Sequence, residues 1–410
     1  LADQLLQRGY AMDYVSDRQL QQLTNADGQL LASGNRYQLI LVPPVRFVPL
    51  STLQWLFTLA EQGATVAFVD QLPGDVAGWA QFVEKREQLR RLTESLRFAA
   101  ADRSGVKEAR LGSGRILVGA EPEALLGASR VRRESMHDQG LQTIRRKLDD
   151  STAYYVVHSG RAAVNGWIPL ASPAESVAIY DPVTGRSGRA ATRQVNGTTE
   201  VYLQLEPDDS CLLRLYPNKR DGEAFPLWQP AGPALPLEAT WQLSFLSGGP
   251  HLPAAATLDR LGSWTELDGA DYDAFSGTAR YQTRFPRPAT DNAEGWWLDL
   301  GEVEETAEVI LNGTLLGITI GPRHRVFVPA SLWRDQNELD IRVANLGANR
   351  IADLDRRDPS WKKLYNQNIR PLRSSNRGPD GMFTAAHWEP MASGLLGPVK
   401  LVPLRALSTP

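Results

Sequence analysis

The chain has 410 residues, 42% hydrophobic and 22% charged, with a formal net charge of -3. That is apolar material for about three domains, at roughly 100–200 residues each. No long basic run offers a nucleic-acid footprint, no stretch of about 18 apolar residues could span a membrane, and a single cysteine, Cys211, rules out an internal disulfide.

The sequence begins at Leu1 rather than Met, and LADQLLQRGYAMDYVSDRQL already has a helix-like pattern, with Leu1, Leu5 and Leu6 on one stripe. It has neither the basic flank nor the apolar core of a signal peptide. The opening therefore reads as the middle of a longer protein, with any export signal upstream. Next comes Tyr37-Gln38-Leu39-Ile40-Leu41-Val42, stopped by Pro43 and Pro44, which predicts a buried strand. A helix is predicted over 51–61, with Leu53, Leu56, Phe57 and Ala60 on one face and Gly63 as its terminator. Residues 64–69 and 114–119 predict two more buried strands, and 121–126 a short helix. Alternating strands and helices imply a partial parallel α/β sheet over 1–132, lacking its first strand.

From Val131 the texture changes. Residues 141–147, 154–157, 201–205 and 210–215 alternate apolar and polar side chains, with turns at Asp149-Asp150-Ser151 and Asp181-Pro182-Val183-Thr184-Gly185. This predicts a small antiparallel β domain over 133–222. Pro226, Pro230, Pro233 and Pro236 mark 223–237 as a linker lying along a surface. Strands then recur over 238–406, at 240–246, 277–285, 296–300, 308–311, 337–344 and 397–403, the spacing of a β-sandwich. Within it, Asn312-Gly313 marks a tight hairpin, because both residues tolerate positive φ. Trp241, Trp264, Trp296 and Trp297 lie in strand-like runs and are expected in the core.

This last stretch resembles the jelly-roll, galactose-binding-like sugar-binding domain of glycoside hydrolase family 2. The resemblance rests on Phe275-Ser276-Gly277-Thr278-Ala279-Arg280-Tyr281, Leu298-Asp299-Leu300-Gly301, the run from Ala307 to Gly313, and Asn337-Glu338-Leu339-Asp340-Ile341. The wider chain resembles the C-terminal half of family 106 α-L-rhamnosidases. The residues behind that are Ile144-Arg145-Arg146-Lys147, Asp181 to Gly185, Asn349-Arg350-Ile351, Trp361 to Asn366, Asn376 to Gly381 and Ser393 to Val399. The α/β domain resembles the glutamine-amidotransferase-like fold, but holds no cysteine for thiol chemistry. The family places its catalytic carboxylates in a barrel preceding this region. The resemblance therefore implies a non-catalytic part of a periplasmic or secreted glycosidase, partnered by an upstream barrel of the same protein and by rhamnose-containing carbohydrate. A stand-alone carbohydrate-binding protein is the alternative.

Little catalytic chemistry is visible in the residues themselves. Glu302-Val303-Glu304-Glu305 could be offered as a carboxylate pair and reads more simply as a solvated loop. Asp268, Asp271 and Asp273 have spacing compatible with calcium but not a complete EF-hand pattern. No metal site is assigned, though the resemblance allows calcium in the parent enzyme. The best binding candidate is the stretch between Asn345 and Leu395, long for an idle loop. Trp361, Tyr365 and Trp388 offer flat faces for a pyranose ring. Lys362, Asn366, Arg373, Asn376, Arg377 and His387 offer directional hydrogen bonds. The competing reading is that these groups fix the loop to its own protein.

Overall fold

The computed structural model describes residues 1–289, 293–361, 373–379 and 381–408. It divides into two units, Leu1–Ile179 with Thr192–Gly222, and Tyr180–Ala191 with Glu223–Pro410.

The first unit opens with an α/β layer. Its elements are β1 (Ile40–Val42), α1 (Leu50–Glu61), β2 (Thr65–Val69), α2 (Phe82–Glu94), β3 (Val106–Leu111), β4 (Gly114–Gly119) and α3 (Pro122–Ala128). β1, β2 and β4 are parallel neighbours in that order. β2 shows why they form a sheet covered on both faces. Val66 and Phe68 pack into one apolar cluster with Leu53, Phe57 and Leu89, while Ala67 and Val69 pack into another with Leu117 and Leu125. β3 then pairs antiparallel with β4, so the sheet is mixed. Its Lys107, Glu108 and Arg110 masked it as a strand in the sequence. The continuous opening helix is a second correction. Only Ala2–Gln7 and Asp17–Leu20 are helical. Gly9, at φ 87°, lies outside helical geometry, and Ser16 begins the second helix with a capping box. Leu5 is buried as expected, but Leu1 and Leu6 are exposed.

From Leu141 onward this unit contains antiparallel strand pairs. β5 (Leu141–Lys147), β6 (Thr152–His158), β7 (Val164–Pro169), β8 (Ser176–Tyr180), β9 (Thr198–Leu205) and β10 (Ser210–Tyr216) follow in sequence. β5, β6, β10 and β8 are neighbours in one sheet, and β7 pairs with β9 in another. A buried carboxylate ties these strands to the segment before them. Glu134 Oε1 accepts from Tyr154 Oη at 2.7 Å and Arg145 Nη1 at 2.9 Å, and Oε2 accepts from the Ala171 backbone N–H at 2.9 Å. Burial, and then the charge of Glu134, push the Tyr154 phenol up to about 12.

The second unit is a sandwich of two antiparallel sheets. Its strands are β11 (Trp241–Gly249), β12 (Ser276–Pro286), β13 (Gly295–Asp299), β14 (Glu302–Glu304), β15 (Thr306–Leu311), β16 (Thr314–Ile320), β17 (Arg325–Pro329) and β18 (Gln336–Ala344), then helix α4 (Ala348–Arg357), then β19 (Gly394–Gly397) and β20 (Lys400–Ala406). One sheet runs β11-β12-β18-β15-β16 and the other β20-β13-β17. Alternate residues of both sheets, including Trp241, Tyr281, Trp296, Val309, Ile341 and Leu401, meet in one apolar cluster. The proline-rich stretch is paired rather than slack. Trp228–Pro230 and Leu235–Pro236 add to the edge of β20, where a missing N–H is tolerated.

Several motifs now have physical reasons. Asn312 and Gly313 both take positive φ at the β15–β16 turn. The Asn312 amide donates to Asn337 Oδ1 at 2.9 Å, locking the hairpin to the start of β18. Gly394 has φ 109° and lies so close to the Tyr281 hydroxyl that no Cβ would fit. The Asp181 carboxylate accepts from the Val183 and Thr184 backbone N–H groups, closing the turn before Arg186. The Arg186 guanidinium lies 4.4 Å from the Phe327 ring centroid. Of the four tryptophans expected in the core, Trp241, Trp264 and Trp296 are buried. Trp297 is only half-buried, on the opposite face of β13, against Phe327 and the Arg325 guanidinium.

Candidate functional site

The insert between β18 and β19 is organised by α4. Its buried face is Asn349, Ala352 and Asp355, one residue per turn. Asn349 pins the returning strand, donating to the Met391 carbonyl at 2.9 Å and accepting from the Met391 N–H at 2.8 Å. Ahead of the helix, Asn345 donates to Ser393 Oγ at 2.9 Å and accepts from the Gly277 N–H at 2.9 Å. At the other end, Asp355 Oδ1 accepts from Trp361 Nε1 at 3.2 Å, and Oδ2 accepts from Thr384 Oγ1 at 2.8 Å and the Ala385 N–H at 2.7 Å. The Arg356 guanidinium donates to the carbonyls of Ala386 and Trp388.

These bonds place the sequence-predicted binding residues. Trp361 turns its indole N–H inward, to Asp355. Trp388 donates its own to Asn376 Oδ1 at 3.1 Å and packs edge-on against Phe383. Arg373, Arg377 and His387 are exposed. Lys362, Tyr365 and Asn366 lie outside the described residues. The insert thus pins itself through its polar groups while leaving two arginines and a histidine facing solvent.

The acidic run is not a solvated loop. Glu302–Glu304 forms β14, paired with β19, and Val303 is buried. A hydrogen bond with Glu305, then burial, then the charges of Glu305 and Glu302 push the Glu304 carboxyl up to about 7. Adjacent carboxyls bonded to each other lack the separation of about 5–9.5 Å that lets a pair flank a glycosidic bond. Their closeness instead holds the Glu304 carboxyl above its ordinary range. A native carboxyl held above its ordinary value of 4.5 binds protons that the unfolded chain releases. Its stabilising share is complete at low pH and is lost as pH rises through about 7. Melting series from pH 5 to 8 should show a fall in the wild type that Glu304→Gln reduces; equal slopes would discard this assignment.

No metal centre is built nearby. Among the described residues, no group of three or more His, Cys, Asp or Glu side chains is placed to hold an ion, so Asp268, Asp271 and Asp273 do not converge into one.

The first unit thus carries an α/β layer and antiparallel sheets, and the second a two-sheet sandwich. Residues 3–193 match the family model of the α-L-rhamnosidases, glycoside hydrolase family 106. The structure is similar to a rhamnosidase from Novosphingobium sp. PP1Y over 96% of this chain, with TM-score 0.71 and 25% identity, and spans 36% of that chain. A Formosa agariphila protein, provisionally named a beta-glucuronidase, is 32% identical over 183 residues, which are 40% of this chain and 15% of that protein. A Bifidobacterium dentium β-glucuronidase matches 27% of this chain and 20% of its own, at 24% identity and TM-score 0.23.

Proposed function

We propose that this chain is the non-catalytic region of a longer glycoside hydrolase acting on α-L-rhamnosyl linkages, supporting a catalytic barrel elsewhere in the polypeptide. The observation behind it is the likeness to a rhamnosidase across 96% of this chain but only 36% of the other. In this reading 1–132 is an amidotransferase-like domain, 133–222 an antiparallel β domain, and 238–406 a jelly-roll sugar-binding module joined by the segment 223–237. The parent is exported to the periplasm or secreted, and the resemblance allows it calcium.

The insert contributes carbohydrate contacts through Arg373, Arg377 and His387, alongside Trp361, Lys362, Tyr365, Asn366, Asn376 and Trp388. Exposed guanidinium groups beside half-buried indoles suit a rhamnosyl chain carrying uronic acids, since arginine pairs with carboxylates in two-point geometry. Arg377 is the useful probe because its side chain is exposed. Arg377→Ala should weaken binding of a rhamnosyl-glucuronate disaccharide about tenfold, or about 1.4 kcal/mol, with no change in melting temperature. Calorimetry showing unaltered affinity would remove the insert from the binding surface. Hydrolysis of an aryl α-L-rhamnoside by this chain alone would overturn the non-catalytic reading.

A further inference from the structure

The insert leaves the sandwich after Ala344 and returns at Gly394, and both stems meet β14. The Glu305 N–H donates to the Ala344 carbonyl at 3.0 Å, and Glu304 stands opposite Gly394 in the β14–β19 register. Glu305 lines a crevice between the stems, with Leu346 and Asn349 from the outgoing one and Met391 and Ser393 from the returning one. At this junction the Glu304 and Glu305 carboxyls are hydrogen-bonded to each other. Two ionised carboxylates have no donor between them, so a bonded pair carries a proton.

The surrounding groups do not replace that proton. Among the described residues, no Lys or Arg is ion-paired with Glu304 or Glu305. Glu302 adds a further negative charge from the same strand. His324, between β16 and β17, feels the charges of Glu305 and Asp299, but burial holds its imidazole below the ordinary range, so it is neutral at pH 7. Arg342 of β18 is paired with Glu308, and the Arg350 guanidinium of α4 lies against Gly249. Tyr281 of β12 is raised by burial and keeps its proton, and β19 carries no titratable side chain.

We propose that the Glu304–Glu305 pair is a proton-dependent latch: while protonated it holds the two stems of the insert together, and loss of the proton sets like charges at the junction and lets the insert open. The latch stands on this geometry, whereas its consequence for sugar contacts rests on the proposed function of the insert. A carboxyl at about 7 in the closed form and at its ordinary 4.5 in the open one makes opening easier as pH rises between those values, with no further change above. Opening that exposed the neutral His324 would instead increase on acidification.

Hydrogen exchange of the whole chain, corrected for the intrinsic pH dependence of amide exchange, tests the proposal. The Met391 and Ser393 N–H groups report on the returning stem, bonded to Asn349 Oδ1 at 2.8 Å and to Ser263 Oγ at 2.9 Å. Their protection should fall at least about tenfold between about pH 5 and pH 7 and then level off, while the amides of β13 keep theirs. Glu304→Gln should hold it constant, since the amide keeps a donor toward Glu305 without titrating, and Glu305→Gln should shrink the fall. Protection that is flat with pH in the wild type, or that falls equally in both variants, overturns the latch. Calorimetry with the rhamnosyl-glucuronate disaccharide over the same range is scored separately, and affinity should fall with protection. Affinity that stays level while protection falls leaves the latch in place and counts against the insert as the sugar surface.

Discussion

Replacing Glu134 by alanine is expected to destabilise the first unit by about 3 kcal/mol. The side chain is only 6% exposed, and three donors converge on it. The magnitude follows from what each donor does when the carboxylate is gone. Arg145 is about a third exposed, so its guanidinium can turn to water, and its loss is small. Tyr154 is fully buried, and the partly buried Ala171 N–H is fixed in the backbone two residues past β7, so neither turns to water as Arg145 does. Each leaves a polar group short of a partner, at about 1–3 kcal/mol apiece. For a unit of this size the melting temperature should fall by roughly 6–12 °C. Glu134→Gln should lie between, because an amide keeps one acceptor oxygen but turns N–H groups toward donors. Calorimetric melting of both variants measures this. A loss below about 1 kcal/mol for the alanine variant would show that the network is a consequence of packing rather than a support for it.

What the sequence disclosed tracks how apolar each buried face is. β2 and the sandwich strands were legible because their inward residues are Val, Phe, Ile, Leu and Trp at period two. α4 was not, because its inward face is Asn349, Ala352 and Asp355, which presents no apolar stripe to read. The same physics hid the binding residues' allegiance. A run of Trp, Asn and Arg looks alike whether the groups face a sugar or one another, and only the distances to Asp355 and Asn376 show two indoles already engaged. β14 was misread because a single buried residue, Val303, sits between carboxylates. Trp297 was misassigned because two adjacent tryptophans in a strand must point to opposite faces, so only Trp296 could enter the core. The family motifs are densest after Asn312, yet the family model matches residues 3–193. The conspicuous motifs are those that fix turns and close approaches, such as Asn312-Gly313 and Gly394, and these stand out by eye more than an ordinary α/β core does.

Asp355→Ala should detach the insert while leaving the sandwich intact. The carboxylate is buried and accepts from both ends of the insert, at Trp361 on one side and at Thr384 and Ala385 on the other. Removing it strands the Ala385 N–H and takes the Asp355 acceptor from the Trp361 indole, a local loss of about 2–4 kcal/mol. None of these partners belongs to the apolar cluster between the two sheets, so the cost falls on opening of the insert rather than on global unfolding. The expected results are a red-shifted tryptophan emission, at least about tenfold faster proteolysis between α4 and β19, and a sandwich melting temperature within about 2 °C of wild type. Asp355→Asn should recover part of this, since it keeps one acceptor oxygen. Unchanged proteolysis in the alanine variant would mean that Asn349 and Arg356 suffice to hold the insert. If carbohydrate binding is lost in Asp355→Ala, the geometry of the exposed arginines depends on the buried anchor. If it persists, the sugar contacts lie elsewhere on the chain.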